Sequence, residues 1–395
     1  MPSLKILKSC LSSRMYSVAA YGKMIGDTPR MEAYISALRQ AVRPDSIVLD
    51  LGCGPGLFAL LACRFEARRI YAVEPDDVIQ LARETAIANG CSDRIEFLQH
   101  FSTQINLPEQ VDVIVSDLRG VLPWFQQHLP SIVDARQRLL APGGTLIPKR
   151  DMLWASVAEV PDHYAKIVDP WESNGCRLDL SAARRMVTNT WSKGRILPNQ
   201  MLVEPVCWAE LDYYNVEEPD IQANMDWMVV RPGTAHVLSV WFDSELIDGV
   251  CLCNRPGEPE LIYGHALFPF SEPVEVVVGD RITVSLAANL VGEDYIWCWH
   301  TRIFAGDTKH IKADFKQSTL FGTPLSTEQL RKRAANFVPS LSEDGQIHAL
   351  ILQLMDGHTP LEEIAARVAE RFPLELGDPE KALGKVGELS QRFSQ

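Results

Sequence analysis

The spacing of apolar residues changes twice along this chain, near residues 150 and 306. Up to 150, short apolar-rich runs at 48–51, 69–74, 94–100 and 111–117 alternate with longer stretches of helical spacing, and 145–148 closes the series. The helical stretches are 57–63, 77–89 (ending at Asn89-Gly90) and a third that runs to the turn at 139–144. Apolar-rich runs of this length suit buried strands, and their alternation with helices predicts a parallel α/β sheet. From 151 the pattern becomes short strands divided by turns, at 152–160, 201–213, 227–242, 274–277, 281–290 and 295–304, with helical spacing only near 180–190. That rhythm predicts an all-β part, a barrel or a sandwich.

Beyond about 306 the pattern is helical. Ser326-Thr-Glu-Gln329 and Thr359-Pro-Leu-Glu362 read as capping boxes. Leu361, Ile364, Ala365, Val368, Ala369 and Phe372 share one helical face. With the helix at 346–355 and the turn at 356–359 they predict a helix-turn-helix. The expected domains are therefore 1–150, 151–305 and 306–395.

Composition narrows the class. With 46% hydrophobic and 23% charged residues and no low-complexity tract, the chain is that of a soluble globular protein, and its 395 residues exceed one ordinary core. A formal charge of −13 argues against nonspecific nucleic-acid binding. The nine cysteines include no Cys-x-x-Cys, which predicts reduced thiols in a cytoplasmic setting. No apolar run reaches the roughly 18 residues of a membrane span. The first 22 residues hold Lys5, Lys8 and Arg14 and no acid, and read as an amphipathic helix, with an organellar leader as the alternative.

The chemistry gathers where the first strand ends. Asp50 is followed by Gly52, Cys53, Gly54 and Gly56, and helical spacing resumes at once. Strand, glycine turn and helix in that order make a nucleotide-binding element, with glycine suited to the dihedrals and to a close ligand. Two features separate it from the dinucleotide pattern: an acid precedes the glycines, and the last two glycines are two positions apart rather than three. Glu74, 18 positions after Gly56 and followed by Pro75, ends the second strand where an acid commonly accepts from ribose hydroxyls. The glycine spacing resembles motif I of the class I methyltransferases, which implies a Rossmann-like α/β fold and S-adenosyl-L-methionine as cofactor, with adenine beside Ser102 or Thr103.

A longer resemblance, over roughly 15–305, is to the protein arginine methyltransferases. Ser17-Val-Ala-Ala-Tyr21-Gly-Lys-Met24-Ile-Gly-Asp-Thr-Pro-Arg30 resembles their opening segment, a helix folded over the cofactor. The resemblance implies that Arg30 pairs with the methionyl carboxylate and Met24 lies near the sulfonium; the lid aromatic expected two residues after Tyr16 is replaced by Val18. Ser116-Asp117-Leu-Arg-Gly120 aligns with the family's Ser-Glu-x-x-Gly, which opens a hairpin whose two glutamates clamp the substrate guanidinium. Asp117 and Gln126 stand at those two positions, so one carboxylate is shorter and the other is an amide. The family's Thr-His-Trp loop aligns with Leu261, Ile262 and Tyr263. Arg119 brings a cation to the clamp loop, and its pairing with Asp117 is the structural alternative to a catalytic role for either. His300 reads as a satisfied histidine, while His128, Glu293 and Asp294 are further site candidates. There is no metal-ligand cluster. Trp171-Glu-Ser-Asn-Gly175 and Leu178-Asp-Leu-Ser181 resemble the family's dimerisation arm, which implies a homodimer.

These readings imply a methyltransferase acting on a protein or peptide arginine or a related nitrogen. N- or O-methylation of a small molecule or neutral peptide group is the alternative acceptor chemistry, and a cofactor-binding, inactive regulatory partner is the alternative class. The C-terminal segment loosely resembles small PqqD-like winged-helix modules. Its Glu362, Glu363 and Glu370 oppose Arg367 and Arg371, which argues against DNA and for a protein partner.

Overall fold

The computed structural model describes residues 16–306 and 310–394 and separates two compact units, one reaching Pro324 and one from Leu325 on. The start of the N-terminal reading, including Lys5, Lys8 and Arg14, lies outside the described residues.

The first unit begins with α1 (Val18–Ile25) and α2 (Thr28–Ala41). Pro29 and the Asp27 cap, whose Oδ1 accepts the Arg30 N–H at 3.2 Å, start the second helix and fix where Arg30 points. The parallel sheet follows: β1 (Ile47–Leu51), α3 (Leu57–Arg64), β2 (Arg69–Val73), α4 (Ile79–Ala88), β3 (Ile95–Leu98), β4 (Val111–Ser116), α5 (His128–Arg138) and β5 (Leu140–Ile147). Strand order is β3-β2-β1-β4-β5, so the order reverses between β1 and β4. In open α/β sheets the crevice at that reversal binds ligands. Its register matters: Leu51 pairs with Ser116, so the chain leaves β1 into the glycine turn beside the point where it leaves β4 into Asp117.

The all-β part opens with β6 (Arg150–Ala158) and continues through β7 (Ser192–Gly194), β8 (Val206–Asp212), β9 (Ile221–Met228), β10 (Gly233–Ile247), β11 (Val250–Cys253), β12 (His265–Val276), β13 (Arg281–Val291), β14 (Asp294–Phe304) and β15 (Ile311–Ser318). The expected barrel takes the form of two separate antiparallel sheets, β7-β12-β10-β6-β8 with β11 on β10, and β15-β14-β13-β9. One apolar core runs from Met31 to Phe315 beneath all three sheets, because β6 leaves β5 across only two residues. A helical pair, α6 (Pro161–Glu172) and α7 (Ser181–Val187), interrupts the strands where the arm is expected. The first of the pair has proline at its first position, a start signal that the strand rhythm around it masks.

Two expectations need correction here. The helical region starts at 325 rather than 306, since Ile311–Ser318 is an edge strand whose alternating burial follows the period of a sheet. The thiols are not all free: Cys63, in the last turn of α3, and Cys91, just past α4, have Cα atoms 6.2 Å apart and form a disulfide.

The second unit contains α8 (Thr327–Lys332), α9 (Glu343–Leu354), α10 (Leu361–Arg371), α11 (Pro373–Leu376) and α12 (Pro379–Phe393). Ile347, Ile351, Ile364, Val368, Val386 and Leu389 close a small core among them. The Ser326 cap forms as expected, its hydroxyl accepting the Gln329 N–H at 3.3 Å. At the other expected box Pro360 is the cap residue, and Thr359 instead binds Asp356 through its N–H and its hydroxyl. No strand occurs among the described residues of this unit, so it carries helices without a wing.

Candidate functional site

The glycine turn is shaped by its own packing as well as by its dihedrals. Gly54 and Gly56 have φ of +51° and +82°. A Cβ on Gly54 would meet the Tyr21 ring at 2.7 Å, and one on Gly56 would meet the Ala82 Cβ at 2.8 Å. The space expected for a ligand against those backbones is thus taken by α1 and α4. Asp50 is fully buried below the turn, where its Oδ2 accepts the Ala59 N–H at 2.8 Å and ties β1 to the first turn of α3. Burial pushes its carboxyl up to about 7, the Ala59 bond opposing and the Glu74 charge adding to the rise. Glu74 uses both oxygens on backbone: Oε2 accepts from Gly54 at 3.0 Å and Oε1 from Asp76 at 3.1 Å. Burial also raises its pKa, against those two bonds.

A cavity of about 700 Å³ lies over this edge of the sheet. Of the residues assigned to the cofactor from sequence, Met24, Arg30, Gly52, Cys53, Gly54, Glu74, Pro75, Ser102 and Asp117 line it. Asp50 and Gly56 do not; both serve the turn from beneath. Gln126, Arg119 and His128 line it, as do Glu293 and Asp294 from the β13–β14 hairpin. Tyr16 and Tyr21 close it from the N-terminal side, packed edge to face at 5.8 Å, whereas Val18 points to solvent.

Asp117 sits at the centre of a buried polar network. Its Oδ2 accepts from Arg30 Nη2 at 2.5 Å, Arg30 Nε at 2.9 Å and the Tyr263 hydroxyl at 2.7 Å. Its Oδ1 faces Arg119 Nε at 3.3 Å but has no hydrogen-bond partner. Arg119 is drawn mainly inward, to Asp151 at 2.5 Å, Ser244 Oγ at 2.8 Å and the Tyr34 hydroxyl at 2.9 Å, with its guanidinium over the Phe242 ring. Tyr213 completes the set by donating to Asp151 Oδ2 at 2.7 Å. Burial alone would raise the Asp117 pKa, but Arg30 and Arg119 outweigh it and hold the carboxyl below its usual range. The phenols of Tyr34, Tyr213 and Tyr263 are all pushed up, by burial first, and stay neutral. Two guanidiniums and two carboxylates therefore balance, and the pairing of Arg119 is chiefly with Asp151 rather than Asp117.

His128 is buried, with Nδ1 2.9 Å from the Pro123 carbonyl, and burial lowers its pKa to about 4, so it is neutral at physiological pH. His300 lies elsewhere, paired with Asp314 at 2.7 Å between β14 and β15. No His/Cys/Asp/Glu cluster suited to a metal occurs among the described residues. None of their helices is long and apolar enough to cross a membrane.

The residues present fit the expected cofactor. Arg30 has five N–H groups. Its Nε and one Nη2 hydrogen serve Asp117, and Nη1 faces the Met24 carbonyl and Met31 Sδ, which leaves one Nη2 hydrogen for a carboxylate. Each Glu74 oxygen keeps a second lone pair for a hydroxyl. Sequence reasoning gave no role to Tyr263, which stands where the family's Thr-His-Trp loop is replaced and yet reaches the central carboxylate. It also missed Asp151, whose strand-interior position gives no local signal of a buried charge partner.

Comparison with known proteins points the same way. The family model for ribosomal protein L11 methyltransferase (PrmA) matches residues 19–159. Over 237 residues the chain is 29% identical to the probable protein arginine N-methyltransferase 6 of Arabidopsis thaliana, covering 58% of this chain and 54% of that one. Over 298 residues it is 28% identical to the human protein arginine N-methyltransferase 2, covering 71% and 68%. The chain thus spans little more than half of the first relative and about two thirds of the second. The fold is that of the Trypanosoma brucei PRMT1 enzyme-prozyme heterotetrameric complex with AdoHcy, at a TM-score of 0.68 and 21% identity over 75% of this chain and 96% of that one. By sequence and by fold, the chain is similar to the arginine methyltransferases.

Proposed function

We propose that this protein is an S-adenosyl-L-methionine-dependent methyltransferase whose acceptor is a guanidinium nitrogen of a protein or peptide arginine. One observation carries the reading: a buried, ionised carboxylate, Asp117, stands beside the glycine turn of β1 in the same cavity as Arg30, Glu74 and Ser102. In this reading Arg30 holds the methionyl carboxylate, Met24 lies beside the sulfonium, Glu74 accepts from the ribose and Ser102 borders the adenine. The cofactor supplies a methyl group on a sulfonium, itself a good leaving group. What remains for the chain is alignment and charge. Asp117 accepts an acceptor N–H on Oδ1, the oxygen without a hydrogen-bond partner, while Arg30 and Tyr263 keep the carboxylate from turning. Gln126 contributes an amide at the second clamp position. Tyr16 and Tyr21 on the N-terminal side exclude water from the cavity.

The finer assembly is part of the same proposal. The strands beyond β5 act as a barrel-like acceptor platform, α6 and α7 form the arm of a homodimer, and the protein works in the cytoplasm. The C-terminal helices bind a protein partner.

A second reading rests on a specific observation: Asp117 already faces two guanidiniums, as expected of a cofactor-binding subunit that regulates another enzyme. Labelled methyl transfer to peptide, protein and metabolite fractions, followed by mass analysis of the product, separates the two. A product 14 mass units heavier on arginine, roughly one methyl replacing hydrogen, supports the enzyme. Cofactor binding with no methylated product in any fraction supports the regulatory subunit.

A further inference from the structure

The geometry points to Glu293, in the turn between β13 and β14, as the second carboxylate that holds a cationic acceptor, with Asp294 seating the clamp loop beside it; this deepens the arginine reading and rests on it. The buried network around Asp117 is electrically balanced, with Arg30 and Arg119 against Asp117 and Asp151. A guanidinium entering it would bring an uncompensated charge into a low-dielectric site, which is costly. Gln126, at the expected second clamp position, supplies no charge. The other acids on the cavity wall are Glu74 and Asp76 at the end of β2 and the pair Glu293 and Asp294.

The hairpin is docked on the clamp loop. The Gln126 N–H points to Asp294 Oδ1 at 3.4 Å, and Gln127 Nε2 donates to the Gly292 carbonyl at 3.1 Å. Gln126 has φ of +45°, an uncommon conformation for a residue other than glycine. Its backbone is thus held where its N–H meets the hairpin. Asp294 Oδ1 also accepts the Tyr295 N–H at 2.8 Å, and the Tyr295 hydroxyl donates to the Pro219 carbonyl at 3.1 Å, so the base of the turn is anchored. Asp294 uses Oδ1 for both contacts of this seating. Glu293 is one residue away, has the longer side chain and lines the same cavity as Asp117, whose nine-tenths-buried side chain holds Oδ1 near Arg119 Nε without a hydrogen bond. A planar cation with N–H groups on two edges matches one carboxylate on each side.

The test compares two peptides, one with arginine and one with citrulline, its neutral isostere, on full-length protein loaded with S-adenosylhomocysteine. Wild type should prefer arginine, and Glu293→Gln should weaken the arginine peptide about tenfold or more while leaving citrulline unchanged. Glu293→Asp should fall between, and Asp294→Asn should weaken both peptides by loosening the loop. Affinity for S-adenosylhomocysteine should be the same in all, and because Glu293 is exposed the variant should melt with wild type. Equal arginine affinity in Glu293→Gln and wild type, or no arginine preference in wild type, overturns the inference. Methyl transfer by wild type is read in parallel. Transfer with an unaltered Glu293→Gln sinks only the role of Glu293. A selective loss of arginine binding without any wild-type transfer sinks only the reading as an arginine methyltransferase.

Discussion

Arg30 and Asp117, 87 positions apart, meet through a single carboxylate oxygen: Oδ2 accepts from Nε at 2.9 Å and from Nη2 at 2.5 Å. The contact links the first turn of α2 to the end of β4, so the residue expected to face the acceptor also holds the residue expected to face the cofactor. Asp117→Asn removes the only negative charge that Arg30 faces in this network and the lesser part of the compensation for Arg119. Breaking one side of a buried ion pair costs about 3–5 kcal/mol, so the variant should melt well below wild type. Turnover should fall about a hundredfold or more. Calorimetry should also show weaker cofactor binding, because Arg30 loses its orientation. A variant with normal melting and normal cofactor affinity would mean that the pair is not the hinge between the two halves of the site.

The donor side of this site was legible in sequence because its signals are local. Asp50, the glycines and Glu74 sit at fixed offsets from strand ends, and strand ends can be read from apolar spacing. The acceptor side was not, because it is made by distant pieces. Tyr263 is 146 positions from the Asp117 that it binds, and Gln126 meets a hairpin 168 positions later. Arg119 reads in sequence as a cation on the clamp loop with Asp117 as its nearest partner; its main partner Asp151 lies in a strand whose alternation marks that position only as inward-facing. The boundary at 306 was misplaced for a related reason. Ile311–Ser318 carries Lys312, Asp314 and Lys316 on its outer face, and an edge strand with that many charges resembles a helical surface until its pairing with β14 is known.

Adding a methyl group separates two glycines that look equivalent in the sequence. Gly54→Ala places a Cβ against the Tyr21 ring, which can swing away, so the expected damage is to the closure of the cavity. Gly56→Ala places it against Ala82 on α4, with the Ala82 Cα at 3.4 Å behind, and a helix cannot step aside as a ring can. Both also carry the left-handed penalty of about 1–2 kcal/mol. Gly54→Ala should therefore lose cofactor affinity, by about tenfold or more, with a modest change in melting temperature. Gly56→Ala should show the larger drop in melting temperature. The reverse order would show that α1 is not what the Gly54 backbone supports.

Arg119 and Asp151, both almost wholly buried and 2.5 Å apart, should behave as a unit. Either Arg119→Met or Asp151→Leu alone leaves a buried charge, at a cost of about 3–5 kcal/mol. The double variant should recover a substantial part of that loss, because replacing a whole buried pair by apolar side chains is often close to neutral. Asp117 keeps Arg30 in the double variant, so cofactor affinity should be retained. Denaturant unfolding of the four proteins in a double-mutant cycle measures the coupling. Additive losses would show that the two charges do not compensate one another.

Asp50 should give the protein a pH dependence of stability opposite in sign to that of a salt-bridged acid. Its carboxyl moves from an ordinary value of 3.8 to about 7 because burial disfavours the charge. Between those values the folded state holds a proton that the unfolded chain releases. The group's contribution to stability is therefore fully present below about pH 4 and is lost as pH rises through about 7. Asp50→Asn keeps an oxygen for the Ala59 N–H but cannot ionise, so it should remove this slope. Unfolding free energies at pH 5 and pH 8 isolate the effect, since other titrating groups cancel between variant and wild type. The advantage of Asp50→Asn should grow by roughly 3 kcal/mol from the lower to the higher pH. If the difference between the two proteins is the same at both, Asp50 carries no buried proton, and its place below the glycine turn must be stabilised by a donor to Oδ1, the oxygen that now has none.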